Sequence, residues 1–245
     1  MIRRVIPGRG DRSGVAATIA LVALLTHPAL GASREDRFEC GLTGDAAIAA
    51  CNRVINDRNE APRGRAEAFF YRGSNYSMKN EYDRAIGDYT EAIRLDPKMA
   101  NAYYFRGIAW SIKNNLDRAI ADFNQSISLD PNNAGAWDLR CLDRAKANRD
   151  LPQALVDCNE SLRLSPNDAG AHGSRGFVYL RLNRLDEAIA DFEAALKPRP
   201  NTYWLYARGI AKLRKGDTGG VNADIMAAKG YKADIAEEFA RWGVK

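Results

Sequence analysis

The sequence predicts an all-α fold, a solenoid of stacked helix–turn–helix units with a C-terminal capping helix. Three observations support this. The string "LDP" at Leu95–Pro97 recurs at Leu129–Pro131, 34 residues on, then as "LSP" at Leu164–Pro166, 35 further, and Pro200 follows 34 after Pro166. A fixed period in this range marks stacked supersecondary units, and 34 residues fit one helix pair. An arginine followed by a small residue repeats in phase at Arg72-Gly73, Arg106-Gly107, Arg140-Cys141, Arg175-Gly176 and Arg208-Gly209. Seven residues after each small residue stands Asn80, Asn114, Asn148, Asn183 or Gly216. Asn and Gly tolerate positive φ, so this slot ends the first helix of each unit with a left-handed cap.

In chain order, residues 1–31 read as an export signal. Arg3, Arg4, Arg9 and Arg12 stand against Asp11, followed by the apolar run "VAATIALVALL" (Val15–Leu25), Pro28 and the small-residue site ending at Gly31. The run is about half of the roughly 20 residues a spanning helix needs. An uncleaved signal anchoring the protein in an inner membrane is the alternative, and either way the body lies outside the cytoplasm, in the periplasm or secreted. Of the net charge of +5, +3 belongs to this leader, so the remaining +2 is no footprint for nucleic acid. Residues 32–64 read as a half-repeat, an extended segment plus the helix "DAAIAACNRVI" (Asp45–Ile55). Residues 65–230 hold five units, at about 65–98, 99–132, 133–167, 168–201 and 202–230. Each of the first four opens on Phe69, Tyr103, Trp137 or His172, and its second helix carries Ala85, Ala119, Ala154 or Ala188 at helical spacing. Asp96-Pro97, Asp130-Pro131 and Ser165-Pro166 stop the second helix, and the proline is expected in the first turn of the next. Residues 231–245 form the capping helix, with Ile235, Phe239 and Trp242 on one face, covering the last unit. No segment after residue 32 is long and apolar enough to span a bilayer.

These residues carry a resemblance to the tetratricopeptide repeat (TPR) family, whose pattern the unit at 65–98 shows with Phe69, Gly73, Tyr76, Ala85, Tyr89, Ala92 and Pro97. The departures are Cys141 for Gly, Arg144 and Lys212 for Tyr, and Cys158 for Phe. The C-terminal tail resembles that of exported repeat proteins of alphaproteobacteria. The resemblance implies a right-handed superhelix whose concave groove, lined by the first helices, holds a partner protein or an extended peptide. Carried over, the groove positions are Phe70, Ser74, Met78, Tyr104, Ile108, Ile112, Asp138, Leu142, Phe177, Arg181, Tyr206 and Arg214, with Glu67, Ser77, Asn101, Ser111, Lys146, Leu180 and Ile210 beside them. A mixed strip of this kind suits an extended peptide or a partner helix. The family's terminal-carboxylate grip needs Lys, Arg and Asn in adjacent first helices; the matching places hold Phe70, Tyr71, Tyr104 and Phe105, which argues against that ligand.

The four cysteines fall on repeat slots. Cys141 stands where other units have Gly, a contact between two helices, and Cys158 stands in the slot of Tyr89, Phe123 and Phe192 on the facing helix. Only such a close contact brings Cα atoms within the roughly 4.4–6.8 Å that a disulfide requires. Cys51 shares the slot of Cys158, and Cys40 lies just before that helix. The expected pairs are Cys40–Cys51 and Cys141–Cys158. A redox role is disfavoured because no C-x-x-C occurs, and zinc because no histidine ligands stand nearby.

A ladder of Arg72, Arg106, Arg140, Arg175 and Arg208 pairs by spacing with Asp88, Asp122, Asp157, Asp191 and Asp224. It reads as ion pairs within or between units, which arginine suits; a row of anion-binding arginines is the functional alternative. His172 fills an aromatic slot and reads as packing. No nucleophile triad, metal set or phosphate loop appears, so neither catalysis nor a cofactor is expected. The function expected is an exported, non-catalytic scaffold gripping a protein or peptide in its groove, the alternative being an envelope-assembly subunit using its convex face or ends. The sequence is silent on oligomeric state.

Overall fold

The computed structural model describes residues 32–217, 219 and 221–244. The leader expected at 1–31 lies outside them. Among the described residues every regular element is a helix: α1 (Arg34–Cys40), α2 (Asp45–Asn56), α3 (Pro62–Met78), α4 (Tyr82–Leu95), α5 (Ala100–Ile112), α6 (Leu116–Leu129), α7 (Ala134–Lys146), α8 (Leu151–Leu164), α9 (Ala169–Arg181), α10 (Leu185–Leu196), α11 (Thr202–Arg214), α12 (Val221–Tyr231) and α13 (Ile235–Arg241). Each odd-numbered helix through α11 packs on its successor, and each hairpin stacks on the next. The first helices also touch one another, from α1 to α3 and onward to α11. They form an inner layer, and the second helices form an outer one.

The turns follow from single residues. Asn80, Asn114, Asn148 and Asn183 have φ between 48° and 61°, and Gly216 has φ 87°. At each, the following amide reaches back to close the helix: Glu81 to Tyr76 O, Asn115 to Trp110 O, Arg149 to Arg144 O, Arg184 to Tyr179 O and Asp217 to Lys212 O. This is the Schellman pattern, in which a left-handed residue lets orphan carbonyls be satisfied. Proline sets the other turn. Asp96, Asp130 and Ser165 precede it with φ between −137° and −133°, the extended conformation a following proline imposes. The expectation that these prolines enter the next helix is corrected. Helices α5, α7 and α9 begin three residues after them, and Asn133 and Asp168 supply the side-chain caps of α7 and α9. Pro62, by contrast, opens α3, which starts ahead of the boundary expected at 65.

Two interactions hold each hairpin from α3/α4 to α11/α12 in phase. One is the ladder. Every ladder arginine donates Nε and Nη2 to both oxygens of its aspartate, at 2.6–2.9 Å. In four of them Nη1 reaches back to the preceding hairpin: Arg72 to Asn52, Arg106 to Thr90, Arg140 to Asn124 and Arg175 to Asn159. The pair therefore lies within each unit, and the third nitrogen ties that unit to its neighbour. Arg144 and Lys212, which stand where other units have an aromatic, add a second cation to Asp157 and Asp224. The other interaction is the small slot. A Cβ on Gly107 would meet the Phe123 ring at 2.7 Å, and one on Gly176 would meet Phe192 at 2.9 Å. At Gly209 the facing side chain is Ile225. In α7 and α8 the contact is covalent: Cys141 and Cys158 form a disulfide with Cα atoms 5.5 Å apart, both fully buried.

The N-terminal unit differs from expectation. The segment read as extended is helix α1. Ser33 Oγ accepts from Asp36 N at 3.0 Å, and Asp36 Oδ2 accepts from Ser33 N at 2.8 Å. This capping box makes a seven-residue helix, too short for hydrophobic periodicity to reveal. Cys40 ends α1 and is bonded to Cys51 on α2, Cα atoms 4.6 Å apart, so the first hairpin is whole and bridged.

The slot equivalence is testable. Cys141→Ala/Cys158→Ala is expected to lose about 3 kcal/mol or more, from the lost cross-link and the cavity. Cys141→Gly/Cys158→Phe, which rebuilds the Gly107–Phe123 contact, is expected to recover much of that in urea titrations. A rebuilt variant no more stable than the double alanine contradicts the equivalence.

Candidate partner-binding groove

The inner layer has three stretches. Helices α3 and α5 present an open apolar strip. Phe70 packs edge-on to Phe105, ring centroids 5.6 Å apart, and Tyr104 lies 6.2 Å from Phe123 behind it. Ser74 Oγ donates to Phe70 O at 3.0 Å and accepts from Tyr89 at 3.3 Å, so it is spent inside the unit. Met78 and Ile112 are more than half exposed, and Ile108 is half-buried between them.

Helix α7 changes the character of the surface. Leu142 is half-buried, with two carboxylates beside it on α7. Asp138 Oδ1 is buried without a hydrogen-bond partner, and burial pushes this acid up to about 6. Ser174 Oγ lies against the same carboxylate and tempers the shift, although neither atom gains an aligned bond. Asp143 is fully buried and also raised to about 6 by burial; it accepts from Ser111 Oγ at 2.8 Å, with Lys146 Nζ at 3.8 Å. Charged groups kept from water this way favour their neutral form. Asp143 and Ser174 escaped the sequence reading because both fall outside the carried-over groove positions; an acid at 143 looks like an ordinary helix-surface residue.

The third stretch corrects the expected groove. Helix α13 folds onto the inner face of α9 and α11 as well as closing the stack. Phe239 packs on Tyr206 at 4.8 Å and on Phe177 at 5.8 Å, and Trp242 lies 6.0 Å from Phe177. Arg181 donates to the carbonyls of Ala145, Lys146, Trp242 and Gly243. Phe177, Arg181 and Tyr206 are thus committed to the chain's own tail, and Leu180 and Ile210 are buried. Arg214 stays exposed and donates to Leu180 O at 3.4 Å. Between α13 and the inner layer remains a cavity of about 430 Å³, lined among others by Ile112, Leu142, Lys146, Trp204 and Trp242. His172 bonds Asp191 Oδ1 at 3.0 Å, sharing that carboxylate with Arg175.

The sequence pattern of the tetratricopeptide repeat family matches residues 70–134 and 143–203, just over half of the chain. The chain belongs to the tetratricopeptide repeat family. No curated protein matches the chain. Among solved structures, this tetratricopeptide protein is similar to YrrB, described as a TPR protein with an unusual peptide-binding site (22% identity, TM-score 0.54, 72% of this chain and 92% of that one). It is also similar to TTC0263, a thermophilic TPR protein of Thermus thermophilus (18%, 0.58, 74% and 100%). A third is MamA of Desulfovibrio magneticus (19%, 0.58, 69% and 96%). At these identities the likeness establishes the solenoid alone.

Asp143, fully buried, and Asp138, buried at Oδ1, give this tetratricopeptide protein a pH signature. Both titrate near 6 when folded, against an ordinary value of 3.8. The native state then binds more protons than the unfolded chain between those values, so their contribution to stability falls as pH rises from about 4 to 6. Asp138→Asn/Asp143→Asn is expected to flatten that slope and to melt higher than the native protein at pH 7. A melting temperature at pH 7 lowered by the double substitution contradicts the assignment.

Proposed function

We propose that this protein is an exported, non-catalytic scaffold that holds a protein segment against the open strip of α3, α5 and α7. The observation that carries the reading is the exposure of Met78, Ile112 and Tyr71 beside the partly buried Phe70, Tyr104 and Ile108 on one inner face. Contiguous apolar side chains left uncovered on a surface suit a partner that removes them from water. YrrB, a protein of the same fold, is described with an unusual peptide-binding site, which supports peptide binding as a use of this fold. Two disulfides, each inside one hairpin, support a life outside a reducing cytoplasm, in the periplasm or beyond. Among the described residues no helix is long and apolar enough to cross a membrane. Because α13 covers α9 and α11, the ligand-bearing stretch is the first half of the groove, shorter than the family pattern alone implies.

A second reading, assembly through the convex side, draws on the exposed Val156 of α8 and on Met226 and Tyr231 of α12. Affinity capture from an envelope extract separates the two. Tyr104→Ala/Ile108→Ala is expected to lose the captured partners, and Val156→Glu/Met226→Glu to keep them. The reverse pattern rejects the groove.

A further inference from the structure

Asp138 and Asp168 lack the cations that pair the repeated acids of the stack. Each ladder aspartate holds an arginine fork, and Asp45, Asp83, Asp117 and Asp186 each take a lysine or arginine from the hairpin stacked beside them. Among the described residues neither Asp138 nor Asp168 has a cation at ion-pair distance. They lie together on the inner face. A Cβ at Gly170 would sit 2.9 Å from Asp168 Oδ1 and 3.5 Å from Asp138 Oδ2. Tyr104 completes the group from α5, since a Cβ at Gly135 would meet its hydroxyl at 2.6 Å, and both acids push its phenol up, after burial. Side chains at Gly135 or Gly170 would crowd this space.

The cluster is also polar without being satisfied. Asp138 Oδ1 and Ser174 Oγ are both buried without an aligned hydrogen bond, although the hydroxyl lies against the carboxylate, and Ser174 is 1% exposed. Asp168 spends one oxygen capping α9 through Ala171 N at 2.8 Å. A buried carboxylate oxygen lacking a partner is destabilising, and a cation that supplies hydrogen bonds offsets that cost. Resting on the groove reading above, we infer that Asp138, with Asp168, Tyr104 and Ser174, is the anchor for a lysine or arginine side chain carried by an otherwise apolar segment of the partner. The aliphatic neighbours of that residue lie on Ile108 and Ile112, one and two turns along α5, and the Tyr104 ring offers its face to the cation.

The groups facing Asp138 are Tyr104 from α5, Asp168 and Ser174 from the start of α9, and Asp143 and Lys146 on its own helix. Asp143 and Asp168 oppose its ionisation and Lys146 favours it. A bound cation acts like Lys146, so affinity strengthens as pH rises through about 6, where Asp138 ionises.

Selection of a random twelve-residue peptide display library on the purified protein tests this, with fluorescence anisotropy on the enriched sequences. Enriched peptides are expected to carry Lys or Arg between apolar residues. Replacing that residue with norleucine is expected to weaken binding about tenfold at pH 7.5 but less than about twofold on Asp138→Asn. Lys-for-Arg exchange is expected to keep most of the affinity, and lowering the pH to 5 to weaken it. Asp138→Asn removes a charge and keeps the shape, and the norleucine peptide probes the native protein without relying on any variant. Peptides that Ile108→Glu abolishes but that show no basic preference overturn the anchor and leave the groove standing. Peptides indifferent to Ile108→Glu, or no enrichment at all, overturn both.

Discussion

The structure depends on one recurring contact, an arginine on each odd-numbered helix from α3 to α11 clasping an aspartate on its successor. The geometry is bidentate and largely withdrawn from water; the Asp157 side chain is fully buried and Arg140 nearly so. Such pairs contribute little net stability relative to a well-packed apolar pair, because desolvation offsets the attraction. What they supply is register. A guanidinium has its donors fixed in a plane, so two hydrogen bonds to one carboxylate set the rotation of the two helices. The remaining nitrogen, aimed at Asn52, Thr90, Asn124 or Asn159, then sets the next hairpin relative to the last. Breaking a member leaves a buried charge behind, which is why the contact tolerates little change along the stack.

The small slot does by shape what the clasp does by charge. Glycine lets an aromatic ring from the second helix reach the backbone of the first, and the cysteine pair in α7 and α8 keeps the approach while replacing the ring with a bond. That unit also carries Asp138, Asp143 and a carboxylate shared by Arg140 and Arg144. Helix α7 therefore carries two buried carboxylate oxygens without a partner, on Asp138 and Asp143, in the hairpin that the disulfide closes. Stability and the proposed recognition meet at Asp138, whose burial taxes the fold and which the proposal places at the groove.

Much of this was legible in the sequence, for a physical reason. Repeats test each slot several times over, so Asn80 and Asn114 as caps, or Arg106 with Asp122, stand out without any structure. What lies outside the repeat was harder. Helix α1 is announced only by Ser33 and Asp36, a local signal four residues long. The packing of α13 against α9 was hidden because a cap has no second copy to align, and its apolar face is equally suited to the end of the stack or to its inside. The burial of Asp143 was hidden because depth depends on how closely α5 and α7 approach, which periodicity does not specify. Phe177, Arg181 and Tyr206, expected to line the groove, are packed by α13 and the residues after it.

The most direct test of the account is a double-mutant cycle on Arg106 and Asp122, followed by urea unfolding. Arg106→Met and Asp122→Asn are each expected to cost about 3 kcal/mol or more, and the double variant to cost less than their sum by about 2 kcal/mol. Costs that simply add, within about 0.5 kcal/mol, would mean that the clasp does not hold the hairpins together.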